Sequence, residues 1–122
     1  MKIHESAENY LETILILEKR KGAVRSIDIA NELEYTKPSV SVAMKQLRLG
    51  EYIDMDKSGY IVLREKGRAI AERMYERHTM LTGWLKMLGV SDEVASEDAC
   101  KIEHVISAES FEAIKSYVES QK

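Results

Sequence analysis

Cys100, Glu103 and His104 stand at i, i+3 and i+4 in the run Glu97-Asp98-Ala99-Cys100-Lys101-Ile102-Glu103-His104-Val105-Ile106-Ser107. On a helix these three side chains share one narrow face. A thiolate, a carboxylate and an imidazole grouped in this way supply three ligands to a borderline divalent metal. The competing reading is a half-exposed helix whose cysteine lies beside two polar residues, and C-x-x-E-H spacing alone does not separate the two. Ile102, Val105 and Ile106 are expected on the opposite side, with Ser96 as the cap and Glu97 and Asp98 in the first turn. Cys100 is the single cysteine and cannot form an internal disulfide. Its thiol is open to three roles: buried and inert, redox-reactive, or a metal ligand. His78 lies near Met74, Leu81 and Leu85, and alone it reads as a packed histidine as readily as a ligand. Asn9 and Glu12, at i and i+3, read alone as surface polar residues.

The elements that position these residues follow from the rest of the chain. With 122 residues, 44% of them hydrophobic, the chain can bury a real core as one compact domain or two small ones. The longest apolar run, Leu11 to Leu17, is interrupted by Glu12 and Thr13, which argues against a membrane span. The N-terminus lacks the apolar stretch of a signal peptide, so a cytoplasmic location is expected. The net charge is −3. Lysine and arginine balance the acids over residues 1–66, so the acidic excess falls in the second half and a local basic surface remains available in the first.

Residues 6–21 read as a helix capped by Ser6, with Tyr10, Leu11, Ile14, Leu15 and Leu17 inward and Gly22 ending it. Ser26 is expected to cap a short helix whose packing stripe is Ile27, Ala30 and Leu33. Glu34-Tyr35 makes a turn, and Thr36 caps the next helix, with Pro38 in its first turn and Val40, Met44 and Leu47 inward. Thr36, Lys37, Ser39, Ser41 and Lys45 are left outward. This is the layout of a helix-turn-helix, whose second helix enters the major groove by its N-terminal residues, although a helical hairpin with a solvated face reads the same way. Small hydroxyls there permit close approach to DNA, and Lys37, Lys45 and Arg48 can neutralise phosphates. Residues 51–56 and 60–63 read as strands around Lys57-Ser58-Gly59, which completes a winged helix with Lys57 at the wing tip near the DNA backbone. A long helix then runs from Glu65-Lys66-Gly67 to Leu88-Gly89, with Ile70, Met74, Leu81, Trp84, Leu85 and Leu88 as a heptad-like stripe suited to dimerisation. Ser91-Asp92-Glu93 starts a short helix before the Cys100 helix. Ser107 caps a last one, with Phe111, Ile114 and Val118 inward. No catalytic constellation stands out.

Across nearly its whole length the chain resembles the diphtheria-toxin-repressor family of metal-dependent regulators, particularly the short branch that includes the manganese transport regulators. The residues that carry the resemblance are Glu8-Asn9-Tyr10-Leu11-Glu12, Thr36-Lys37-Pro38-Ser39-Val40-Ser41, Leu63-Arg64-Glu65-Lys66-Gly67, Arg77-His78 and the run from Glu97 to Ser107. The resemblance implies a homodimer whose metal-bound form represses metal-uptake genes from palindromic operators. It also implies a ligand set. Cys100, Glu103 and His104 match the primary site of the iron-responsive branch, Glu12 matches a ligand of the manganese branch, and His78 is a ligand position in both. Position 9 is a ligand in both branches, methionine in one and aspartate in the other, and here it is Asn9. Cys100 replaces the metal-bridging glutamate of the manganese branch. Ancillary positions of the iron branch are Thr82 and Ser96 here, and its third domain has no counterpart in these 122 residues.

The resulting expectation is a mostly α fold with a small β-hairpin wing. Residues 1–66 form a winged helix-turn-helix DNA-binding domain and residues 67–122 a helical dimerisation and metal-binding domain. The function is that of a Fe2+- or Mn2+-dependent transcriptional repressor of metal homeostasis, not an enzyme, with Zn2+ as a further possible occupant. Asn9, Glu12, His78, Cys100, Glu103 and His104 hold metal; Ser26, Thr36, Lys37, Pro38, Ser39, Ser41, Lys45 and Lys57 meet DNA. The alternative is a winged-helix regulator that senses redox state or a small ligand through Cys100.

Overall fold

The computed structural model describes residues 5–121; residues 1–4 and 122, at the outer ends of the two expected domains, lie outside the described residues. In chain order the elements are α1 (Glu5–Lys21), β1 (Val24–Arg25), α2 (Ser26–Leu33), α3 (Lys37–Leu49), β2 (Ile53–Met55), β3 (Tyr60–Leu63), α4 (Glu65–Met87), α5 (Asp92–Val105) and α6 (Ala108–Ser120). Two compact units are formed, Met1–Glu72 and Arg73–Lys122, and the division falls inside α4.

In the first unit, α1, α2 and α3 pack around Leu11, Ile14, Ile29, Val40 and Met44, all essentially out of water. The hairpin closes this core with Ile53, Ile61 and Leu63. β2 and β3 pair antiparallel, Ile53 opposite Leu63 and Met55 opposite Ile61. Sequence periodicity misses β1, whose two residues are too few to show alternation. Val24 pairs with Ile61 and Arg25 with Tyr60, so β3 is the central strand. Arg25 also lies over the Tyr60 ring, 4.4 Å from its centroid. Arg68, in the first turns of α4, donates to both carboxylate oxygens of Glu18 at 3.0 and 3.1 Å and fastens that end of the helix to α1. Gly67 is required there, because a Cβ would collide with the carbonyl of Tyr52.

Three local expectations are corrected in this unit. Ser6, the expected cap of α1, lies within the helix, which is already formed at Glu5, the first described residue. Ser26 is the first helical residue of α2, and Arg25 is its N-cap, fixed by the Asp28 carboxylate accepting the Arg25 N–H at 2.8 Å. With that start, Ile29 is buried beside Ala30 and Leu33 packs on the core, so of the expected stripe Ile27-Ala30-Leu33 only Ile27 is turned partly out. Thr36 caps α3 as expected, its hydroxyl accepting the Ser39 N–H.

In the second unit, Leu81, Ala99 and Phe111 are the buried centre, surrounded by Met80, Trp84, Ile102, Ile106 and Ile114. A single helix occupies the stretch expected to hold two. Ser91 caps α5 by accepting the Val94 N–H, and Ser96 sits inside the helix rather than at its start. Ala95, Ala99 and Glu103, four residues apart, form the most buried line of α5. Val105, on the other side of the helix from the candidate ligands, is 73% exposed because it lies off that line. Ser107 caps α6, where Phe111 and Val118 are buried.

Candidate metal centre and nucleic-acid interface

Glu103 is completely buried, an unusual place for a carboxylate. Within the second unit it is flanked by two imidazoles: His78 Nδ1 lies 3.7 Å from Oε2, and His104 Nε2 lies 3.6 Å from Oε1. Both separations exceed hydrogen-bond length. The His104 side chain is almost as buried as Glu103, at 3% exposure, and His78 is at 26%. Among the described residues, the buried Nδ1 of His78 has no hydrogen-bond partner, whereas its Nε2 faces the Ser96 hydroxyl at 3.5 Å. Donors about 2.1 Å from a shared ion stand about 3 to 3.5 Å from one another, so these separations need only a small side-chain adjustment. An orphaned imidazole nitrogen beside a carboxylate excluded from water fits a divalent cation.

α5 presents Glu103 inward and His104 beside it, while Cys100, one position past the buried Ala99, is exposed. The expected common face of Cys100, Glu103 and His104 is therefore graded from fully buried to exposed. In the first unit, α1 holds Asn9 half-buried and Glu12 at 4% exposure, well inside rather than at the surface. Glu8, one residue before Asn9, is also buried.

Arg77 carried no assigned role in the sequence, where it stands beside His78 among the residues of the family resemblance. Its Nη1 donates to the carbonyls of Glu103 and Ile106 at 3.0 and 3.1 Å, and its guanidinium faces the Phe111 ring at 5.5 Å. These are the orphan carbonyls at the C-terminal end of α5, where a cation is favoured by the helix dipole. The only sequence signal was an arginine adjacent to a candidate ligand.

On the first unit, Thr36, Lys37, Pro38, Ser39, Ser41, Lys45 and Lys57 are all exposed and Ser26 is half-buried. The Thr36 hydroxyl donates to the Ser39 hydroxyl at 2.8 Å, so these two are engaged with each other. Ser26, Ser41 and Lys45 come together with Met44, Arg48 and Met55 around a hollow of about 190 Å³. Arg48 thereby joins the same surface. The wing turn is held by the Asp56 carboxylate, which accepts the N–H groups of Ser58 and Tyr60 at 2.9 Å each, and Lys57 projects from its tip.

Comparison with known proteins decides the family. Residues 2–67 match the family described as iron dependent repressor, N-terminal DNA binding domain, and residues 64–122 match iron dependent repressor, metal binding and dimerisation domain. The chain belongs to the diphtheria-toxin-repressor and manganese-transport-regulator family. Over 114 residues, 93% of this chain, it is 37% identical to the HTH-type transcriptional regulator MntR of Geobacillus kaustophilus strain HTA426, covering 81% of that protein. The HTH-type transcriptional regulator MntR of Geobacillus thermodenitrificans strain NG80-2 is 35% identical with the same coverage. Among solved structures, that of the manganese regulator SloR superposes with a TM-score of 0.81 at 26% identity over 98% of this chain. This chain spans 55% of that one, about half its length.

A member of the diphtheria-toxin-repressor family is a metal-dependent, DNA-binding transcriptional repressor, and the winged helix and the two-part match give this chain that role. The match does not favour the redox- or small-ligand-sensing alternative. Among the described residues, no helix is long and apolar enough to cross a membrane.

Proposed function

We propose that this repressor is switched by Fe2+ in preference to Mn2+, through a ligand set of Asn9, Glu12, His78, Cys100, Glu103 and His104. The observation that carries the reading is the buried Glu103 carboxylate with His78 and His104 on either side at 3.7 and 3.6 Å. Cys100 sets the preference, because thiolate suits Fe2+ and Zn2+ better than Mn2+. The neighbouring structure named as the manganese regulator SloR supports Mn2+ as a working activator.

A bound divalent cation supplies the positive charge that a carboxylate excluded from water requires. Glu103 and His104 are carried by α5, and His78 by α4, so filling the set fixes these two helices against each other. Asn9 and Glu12 belong to α1, which packs on α2 in the DNA-reading unit, and ligation through them extends the effect to the recognition helix. In a homodimer this holds two α3 helices at the spacing of successive major grooves, about 34 Å. Ser26, Thr36, Lys37, Pro38, Ser39, Ser41, Lys45 and Lys57 make the DNA contacts. A preference of a few kcal/mol for the DNA-competent state is enough for a switch. The activity is regulatory rather than catalytic, and the expected location is the cytoplasm.

The test is anaerobic titration of the chain with Fe2+, Mn2+ and Zn2+, read by its binding to the DNA upstream of its own gene. Activation by Fe2+ at lower free concentration than Mn2+ supports the proposal. DNA binding indifferent to every metal overturns it.

A further inference from the structure

Val42 is 59% exposed in the middle of α3, surrounded on the surface by Ser39, Ser41 and Lys45. The buried seam of this helix is Val40, Met44 and Leu47, at 0%, 1% and 5% exposure. Val42 lies two residues after Val40 and two before Met44. At 3.6 residues per turn it therefore stands opposite that seam, on the crest of the helix. Ser39 and Ser41 flank the crest on its two sides, and the Ser39 hydroxyl is already engaged by Thr36. The side chain on the crest of the reading helix, opposite its buried seam, is thus apolar and β-branched. It does no packing work for the core. Basic groups border it on the same helix: Lys37, Lys45 and Arg48, all exposed. Cationic flanks with an apolar crest match a major groove, in which phosphates line the edges and one base alone, thymine, presents a methyl group.

We infer that Val42 is a specificity-determining residue that reads a thymine C5-methyl in each half of the operator, with Ser39 and Ser41 as its neighbours rather than the main readers. This rests on the proposed function, and the experiment separates the two. The full chain, loaded with Mn2+ or Fe2+, selects duplexes from a randomised pool. Each thymine of the selected half-site is then replaced in turn by deoxyuridine, which pairs identically but lacks the methyl. One position per half-site should lose about fourfold in affinity, the value of one buried methyl group. Val42→Ala folds normally, since alanine favours the helix and the site is exposed. It should bind the thymine and deoxyuridine duplexes equally at that position, and Val42→Thr, which keeps a methyl, should retain part of the difference. A flat deoxyuridine scan, or a loss undiminished in Val42→Ala, overturns the inference while leaving metal-dependent repression standing. Failure of the metal-loaded chain to select any duplex overturns both.

Discussion

The guanidinium of Arg77 holds the backbone carbonyl of Glu103 at 3.0 Å, so the residue that anchors the candidate metal centre is gripped by its main chain from α4. Arg77 offers no ligand atom to a cation, yet it fixes where α5 places Glu103 and His104. Arg77→Ala is expected to lower metal affinity roughly 10- to 100-fold, the usual cost of losing an outer support. Arg77→Lys should recover only part, because the shorter lysine side chain ends before the Nη1 position that serves both carbonyls and gives up the planar contact with the Phe111 ring. Competition titration against a metal chelator measures both.

Glu103 gives two results of opposite sign. In the wild type, free metal at about 100 times its dissociation constant should raise unfolding free energy by about 2.7 kcal/mol. Glu103→Gln should abolish that increment. Without metal, the same variant should be as stable as the wild type or more so, since a neutral amide replaces a carboxylate held out of water. Urea unfolding with and without Mn2+ distinguishes the two conditions.

Cys100→Glu is expected to shift activation from Fe2+ toward Mn2+, and Cys100→Ala to weaken activation by both. The readout is operator affinity against free metal for each variant. An unchanged Fe2+/Mn2+ ratio in Cys100→Glu would show that the thiolate does not set the preference.

Lys45→Ala should weaken binding to all DNA sequences alike and lower the salt slope by about 1, as the loss of one phosphate contact does. Affinity at several salt concentrations, on selected and random duplexes, provides the measurement.

Asp28 supplies a pH dependence. The hydrogen bond from the Lys21 ammonium at 2.6 Å, followed by that from the Arg25 N–H, holds its carboxyl below the ordinary carboxylate value. A lowered folded-state value contributes stability that is present above the unfolded value of about 3.9 and is lost as pH falls through the folded one. Asp28→Ala should therefore cost about 1 kcal/mol at neutral pH, typical of a lost cap. The difference from wild type should shrink below about pH 4, as thermal or urea melts across that range would show.

The hydroxyl caps at Thr36 and Ser107 were legible because each precedes a clear apolar period, and the glycine-turned hairpin was legible from its residue types. Val24-Arg25 was not, since a two-residue strand is defined by its partner β3 and not by its own pattern. On α2 the expected face held at Ala30 and Leu33 but not at Ile27, whose place inside is taken by Ile29. The start of that helix is set by Asp28 reaching back to Arg25, not by the serine between them. At the candidate metal centre, ligand types and spacing offered Cys100, Glu103 and His104, and the family resemblance added His78. Burial did not follow from that pattern. It depends on Ala95 and Ala99, whose small side chains put the inward line of α5 through Glu103 and leave Cys100 outside. The role of Arg77 lay beyond sequence reach because its partners are backbone carbonyls, which every residue carries.

That line through Ala95, Ala99 and Glu103 also bears on how such a chain diverges. A side chain exchanged at Glu103 must be accommodated by everything packed around it. One exchanged at Cys100 meets solvent and leaves the core packing untouched. Evolutionary drift at position 100 is therefore nearly neutral for folding while, under the proposed ligand set, altering donor chemistry beside a buried carboxylate. If Cys100 ligates as proposed, lineages with the same interior can part in metal diet by a single codon.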